Sequence, residues 1–341
     1  DTAQQFLNGK SAGSGPYIME SYTPDVEIVL KRNENYWGTK PAVETIIIKD
    51  VPEANTQLLT LQQGDIDIAF NLNSDQISQI KDDQKLQVIT TPTKTIGFLM
   101  MNMDPKIGGP MADPKVQQAV RYALDYQGLH TLIGEGTITP ASIIQVGFFG
   151  ALEARDPGYT NLDKAKALLK EAGYESCFNI DMPVCTLAPE GIPLPTIAQK
   201  VKEDLSKVNI TVNIQTSDWA GGYGDEYRNG TLPFTAMYWA PDYNDPNTQL
   251  DFLPGYNVGL RAGWQTAMAP DLAAYYTKIT GAKDNAAKEA ALKEMQELSA
   301  DNMPFIPYAQ YPKNIAVKKG LQGVEFSNVY RLDLSKLAWA K

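Results

Sequence analysis

Apolar residues recur along the chain with two periods, and the alternation of those periods predicts an α/β protein. Val26, Ile28 and Leu30 alternate with polar neighbours as a half-buried strand does, while 46–48 and 66–70 are short apolar runs that read as buried strands. Between those runs, residues 53–63 carry a helical pattern, and Ser74 or Asp75 can cap a short helix reaching Lys81. Strands are then expected over 86–91 and 95–103. From Asp113 the texture changes. Asp113 as N-cap and Pro114 at the first helical position open a helix with Val116, Ala119, Val120, Ala123 and Leu124 on one face. A second amphipathic helix, through Leu162, Ala165, Leu168 and Leu169, stops at Gly173. A helix over 196–208 runs directly into Ile210, Val212 and Ile214, which alternate as a strand, so helix followed by strand repeats here as it does in α/β lobes. Helices are expected at 271–280 and 285–300, and strands at 305–311 and 315–317. Pro304, Pro307 and Pro312 suit sheet edges or crossings between lobes.

Length sharpens this picture. At 341 residues the chain exceeds the size at which one core stops growing, so two lobes are expected. The 43% of hydrophobic residues suits a folded globular protein. With 40 acidic against 30 basic residues the net charge is −10, which disfavours nucleic acid or an anionic membrane surface as partner. No apolar run approaches the roughly 20 residues of a membrane span, and the polar start has no signal-peptide core, leaving a cytosolic chain or an exported one without its leader. Cys177 and Cys185 would lie about 25 Å apart in one extended strand, which favours two free thiols. A metal site is not expected, because His130 is the single histidine and Cys-x-x-Cys is absent. His130, near a helix end, is read as structural or surface. No nucleophile elbow, zinc-protease, P-loop or dinucleotide motif occurs, and there is no internal repeat.

The stretch from Met237 to Pro246, MYWAPDYNDP, concentrates the candidate chemistry. Trp239 offers a flat ring and Asp242 a negative charge three residues on, so an ammonium between them would gain a charge-assisted hydrogen bond and a cation–π contact, with Tyr243 beside it. The alternative is a turn beside a core tryptophan, since Asn-Asp and Asp-Pro pairs are ordinary turn formers.

Several segments, taken in order, resemble the oligopeptide- and dipeptide-binding class of ABC-importer solute-binding proteins, family 5. Gly13-Ser14-Gly15-Pro16-Tyr17 is similar to that family's GTGPY run, and Arg32-Asn33-Glu34-Asn35-Tyr36-Trp37-Gly38 to its RN-x-x-YWG signature. Leu61 to Asp67, Met101-Asn102-Met103, the helix opening DPKVQQAVRYALD at Asp113, the segment from Lys164 to Tyr174, and Gln296-Glu297-Leu298 followed by Met303-Pro304 continue the match in family order. The resemblance implies two α/β lobes of the periplasmic-binding-protein type (type II, cluster C-like), the second inserted into the first, with residues 1–100 and 308–341 in lobe I and 101–307 in lobe II. Because GSGPY begins at residue 13, where members of the family carry a long portion before it, the chain resembles a fragment, whose lobe I would expose apolar surface that the absent portion covers, or an unusually short member. Where the family has arginine after valine in its helix, this chain has Gln117, and Arg121 one turn on is expected to replace a surface contact.

In function, the resemblance implies a non-enzymatic binding protein of the bacterial periplasm or a cell-surface lipoprotein. It would capture a small solute, preferentially a peptide, and deliver it to a membrane permease, without a cofactor; a metal chelate, haem or sugar is the alternative, and a hydrolase using paired carboxylates such as Asp242 and Asp245 stands behind both. Within the W-x-x-D-x-x-D/E-P loop, Asp242 corresponds to the anchor for a peptide's amino terminus and Trp239 to a pocket wall, while Asp245 and Pro246 fix the loop. Arg261 is a candidate for a ligand carboxylate and Trp264 for stacking, against a surface ion pair and a core tryptophan. Asn102, at a strand end near the proposed crossing, completes the candidate set, with a backbone-satisfying structural role as its preferred reading.

Overall fold

A computed structural model describes residues 5–6, 9–327 and 331–340. The chain divides into two compact units, Asp1–Thr91 with Lys313–Lys341, and Pro92–Pro312, so the second lies in sequence between the two segments of the first.

The first unit opens with a three-stranded antiparallel sheet, β1 (Tyr17–Thr23), β2 (Glu27–Arg32) and β3 (Thr45–Lys49), with β2 in the middle. The register pairs Tyr22 with Ile28, Ile28 with Ile48 and Leu30 with Ile46, which places these apolar side chains on one face. β2 lies where the alternation puts it and β3 over the apolar run at 46–48, while β1 has no counterpart in the sequence reading; none of their residues is buried, and Ile47 and Ile48 are 54% and 43% exposed. The expectation of a buried strand at 46–48 is therefore corrected to an exposed edge strand. Two of the family-like motifs meet at this sheet. Asn33 donates its side-chain amide to Gly15 O at 3.0 Å, and its backbone N–H to Pro16 O at 2.8 Å, which ties the glycine-rich run to the strand pair.

Next come α1 (Ala54–Gln63), ended by Gly64 in the left-handed conformation, the short strand β4 (Ile68–Ala69), and α2 (Ser74–Ile80). The N-cap of α2 is Asn73 rather than Ser74, in a reciprocal capping box with Gln76.

Two strands pass from one unit into the other. β5 (Leu86–Met101) is continuous where the sequence suggests two strands, and so is β9 (Phe305–Lys318). Within the first unit β4 pairs with β9 through Ile68↔Val317 and Ala69↔Ala316. That pairing involves only Ala316 and Val317, so Pro307 and Pro312 interrupt no β4 ladder; of the two placements these prolines suit, a sheet edge or a crossing between lobes, β9 does not take the edge, being interior to the strand order.

The second unit holds the largest core. α3 (Pro114–Ala123) is capped by Asp113 and buries Val116, Ala119 and Val120; α4 (Tyr126–Ile133) and α5 (Leu162–Glu171) follow. β6 (Phe178–Cys185) and β7 (Ile210–Ser217) pair in parallel, linked by α6 (Leu194–Ser206), whose Ile197, Val201 and Leu205 are fully buried: a complete βαβ unit. Cys177 and Cys185 are both free, the first exposed and the second buried. β8 (Phe234–Trp239) runs antiparallel to β5, from Met101↔Phe234 to Ile96↔Trp239. Beyond it lie α7 (Tyr275–Thr280), shorter than the expected 271–280 because Pro270–Ala273 forms a separate helical turn, and α8 (Asn285–Ser299).

Two residues of the family-like pattern prove to be internal fasteners. Gln296 on α8 is fully buried; its Oε1 accepts from Ser142 Oγ and Leu152 N, and its Nε2 donates to Gly150 O and Leu292 O. Arg121 is not on the surface as expected: it is 2% exposed, lies 3.4 Å from the Met303 and Phe305 carbonyls and 3.8 Å from Asp301, and burial depresses its pKa.

Candidate functional site

Strand β8 delivers its last residue, Trp239, to the rim of a cavity of about 210 Å³ that belongs wholly to the second unit. The strand forms because Phe234, Ala236 and Met237 are buried and paired with β5, and it ends where Pro241 enters. The loop then turns back through a 3-10 helix, Pro246–Phe252. Asp245 is its N-cap, with Oδ1 accepting from Asn247 N at 2.8 Å and the carboxylate also held by Lys288 Nζ at 3.2 Å. Asp245 therefore fixes the loop and has no freedom to act with Asp242 as a catalytic pair.

The cavity is lined by Trp239, Asp242 and Tyr243 from the loop, Asn247, Thr248, Leu250 and Asp251 from the 3-10 helix, and Tyr276 and Thr280, one turn apart, from α7. None of these nine is basic. Asp242 and Tyr243 are exposed, and among the described residues neither Asp242 nor Asp251 has an ion-pair partner. Two unneutralised carboxylates on so small a cavity make it a place for positive charge. Trp239 is half-buried with its ring edge-on to Phe252, centroids 5.6 Å apart. This contact fixes the indole plane beside the loop.

The structure brings together three of the six sequence candidates, Trp239, Asp242 and Tyr243; the other three do not line this cavity. Asn102 is fully buried, and its Nδ2 donates to Gly230 O and Leu232 O while Oδ1 accepts from Asp104 N, which is the backbone-satisfying alternative. Trp264 is 2% exposed and packs on Phe305, as a core tryptophan does. Arg261 lies over the Tyr227 ring at 4.8 Å and reaches Asn257 Oδ1. Conversely, Asn247, Asp251, Tyr276 and Thr280 escaped sequence reasoning. The first two sit five and nine residues after Asp242 in the same loop, a signal open to view; α7 offered none, because only the fold carries it to β8.

Comparison with known proteins gives one consistent result. A family model described as bacterial extracellular solute-binding proteins, family 5 Middle, matches residues 1–258. The chain is similar to the dipeptide-binding protein of Escherichia coli K12, with 30% identity over 239 residues, 69% of this chain and 44% of that protein. It is also similar to heme-binding protein A of Haemophilus influenzae, 26% over 307 residues, 89% of this chain and 55% of that one. It spans about half the length of these curated relatives. Among solved structures, a putative peptide binding protein AppA from Clostridium difficile matches with a TM-score of 0.84 at 20% identity, over 96% of this chain and 67% of that one. DppA from Helicobacter pylori, in complex with the peptide STSA, matches at 0.79 and 21%, over 96% and 63%. These structural likenesses establish the two-lobed α/β fold.

Proposed function

Because this chain belongs to family 5 of the bacterial extracellular solute-binding proteins, we propose that it captures a peptide by its amino-terminal ammonium at Asp242 and passes it to the permease of an ABC importer. The observation that carries this reading is the unpaired Asp242 carboxylate on a cavity that no basic residue lines. Trp239 supplies the wall, and Asp245 with Lys288 holds the loop so that Asp242 is presented before a ligand arrives. At about 210 Å³ the cavity is smaller than the roughly 300–1,000 Å³ typical of whole small-molecule sites, so it takes one end of a ligand. Haem binding, for which one relative is named, fits poorly, since the haem propionates would meet Asp242 and Asp251. The protein acts outside the cytoplasm, in a periplasm or as a lipoprotein at the cell surface.

A hydrogen bond to a charged group contributes about 1.5–3 kcal/mol once water is excluded, so Asp242→Asn weakens peptide binding roughly tenfold to a hundredfold with the melting temperature unchanged. Trp239→Ala lowers both affinity and stability, because its ring also packs on Phe252. Calorimetry with a peptide mixture, beside thermal melts, checks both. Equal affinities for wild type and Asp242→Asn would leave Asp242 a turn residue and point to an uncharged ligand.

A further inference from the structure

The backbone of the first unit leaves two strand edges open on one groove. β3 is the last strand of its three-stranded sheet and β4 the first in the order β4-β9-β5-β8, and residues of both line a groove of about 490 Å³ that belongs wholly to this unit. Along an antiparallel pair the hydrogen bonding alternates, so a strand with one neighbour turns the N–H and C=O of every second residue outward. Glu44 O accepts from Arg32 N and Val26 O from Asp50 N, so Glu44, Ile46, Ile48 and Asp50 face β2, while Thr45, Ile47 and Lys49 turn their backbone groups to the open side. On β4, Asp67 O accepts from Lys318 N, which leaves Ile68 turned away from β9. Among the described residues these four have no other backbone partner. Edges are normally blunted by a proline or a bulge, and β3 has neither.

The connection between the two strands points the same way. β3 and β4 are consecutive strands joined by α1, as β6 and β7 are joined by α6, but β6 and β7 pair directly in parallel, whereas β3 and β4 stand in separate sheets on a shared groove. The chemistry of the groove specifies what fits. Ile46, Ile66, Phe70, Leu334 and Trp339 give it apolar walls. Its charged lining is Asp50, Asp65 and Asp67 against Lys49, and among the described residues neither Asp50 nor Asp65 has an ion-pair partner. An aliphatic strand with a basic end complements both. A strand lying between two edges needs both of its own edges free, and among the described residues every strand of this chain is already paired on at least one side, so a second copy has none to give.

We propose that this groove docks an extended segment of a partner polypeptide, aliphatic in its middle and basic at one end, which adds as a strand to the free edge of β3. Its backbone bonds to Thr45, Ile47 and Lys49 on one side and to Ile68 on the other, and so links β3 to the β4–β9 pair. Main-chain hydrogen bonds carry the recognition, the apolar walls take its side chains, and Asp50 or Asp65 takes its basic end. The surface is separate from the Asp242 cavity and does not depend on what that cavity binds.

The test uses the full chain and the peptide Lys-Val-Thr-Val-Ile-Val, acetylated so that it has no amino-terminal ammonium for Asp242, beside the same peptide N-methylated at alternate residues, which cannot pair along both edges. Binding is followed by titration and by amide hydrogen exchange read by mass spectrometry. The plain peptide is expected to bind and to slow exchange over 45–49, and the N-methylated one not to bind. Ile47→Pro removes an N–H that bonds nothing within the chain, so it weakens binding about tenfold at an unchanged melting temperature, while Asp242→Asn binds as wild type does. If Ile47→Pro melts lower, the N-methylated peptide decides, since it leaves the protein unaltered. Equal binding of the two peptides, or of neither, overturns the proposal, and binding lost in Asp242→Asn does so by placing the peptide in the other cavity. Exchange over 45–49 that is slow without peptide and quickens on dilution also overturns it, giving the edge to a second copy.

Discussion

Asp242 and Asp245 show how one residue type takes two roles three positions apart. Asp245 spends its carboxylate on a backbone N–H and on Lys288, whereas Asp242 is exposed and, among the described residues, unpaired. A like contrast separates two tryptophans: the loop motif favours Trp239 as a pocket wall and leaves Trp264 open between stacking and the core, and only the fold reveals that Trp264 is buried against Phe305. What a side chain touches across the fold is not encoded in its neighbours along the chain, which is why the sequence left Arg261 and Trp264 open between a ligand contact and a structural one. His130 supplies a prediction at this scale. Its Nε2 lies 2.7 Å from Thr139 Oγ1, and burial lowers its pKa below the usual 6.5. The unfolded state therefore takes up the proton first as pH falls, so this contribution to stability is whole above about pH 6.5 and is lost below it, down to the folded pKa. Thermal melts from pH 7.5 to 5 are expected to fall less steeply for His130→Gln than for wild type; parallel curves would show that His130 does not titrate differently on folding.

Among elements, those with a period and a cap were legible. α3 with Asp113-Pro114, α5 ending at Gly173, and the β6–α6–β7 unit all rest on local chemistry that the sequence displays. β5 and β9 were each divided in two, because polar residues and prolines interrupt their apolar runs and a continuous ladder is supplied by partners far away in sequence. The capping box of α2 carries a direct test: Asn73→Ala is expected to cost about 1 kcal/mol, read as a shift of the denaturation midpoint, and no shift would mean that Gln76 alone holds the helix start. β5 carries another. Gly97 pairs with Tyr238 across the ladder, and a Cβ there would overlap the Tyr308 ring, whose hydroxyl is bonded to that of Tyr311 at 2.7 Å in full burial. Gly97→Ala is expected to destabilise by about 1–3 kcal/mol through this overpacking. An unshifted denaturation midpoint would show that the tyrosine pair moves aside freely.

At the scale of the whole molecule, α/β architecture and family follow from patterning and ordered motifs, but the state of the first unit's surface does not. The apolar pattern of β2 and β3 announces strands and leaves open what covers them; here Tyr22, Val26, Ile47 and Ile48 are exposed, and the last two line a groove of about 490 Å³ together with β4 and the C-terminal segment. Exposed patches of this kind adsorb hydrophobic dyes and promote association. This chain is expected to bind such a dye while folded, and Ile47→Lys with Ile48→Thr to reduce that fluorescence without lowering the melting temperature; unchanged fluorescence would place the dye site elsewhere. The central claim, that the protein holds peptides through Asp242, is tested most directly by native mass spectrometry of wild type and Asp242→Asn purified side by side without denaturation. The account predicts a ladder of peptide adducts with free amino termini on wild type and their loss from Asp242→Asn, whereas haem, sugar or metal-chelate adducts, or the same peptides retained by both proteins, would contradict it.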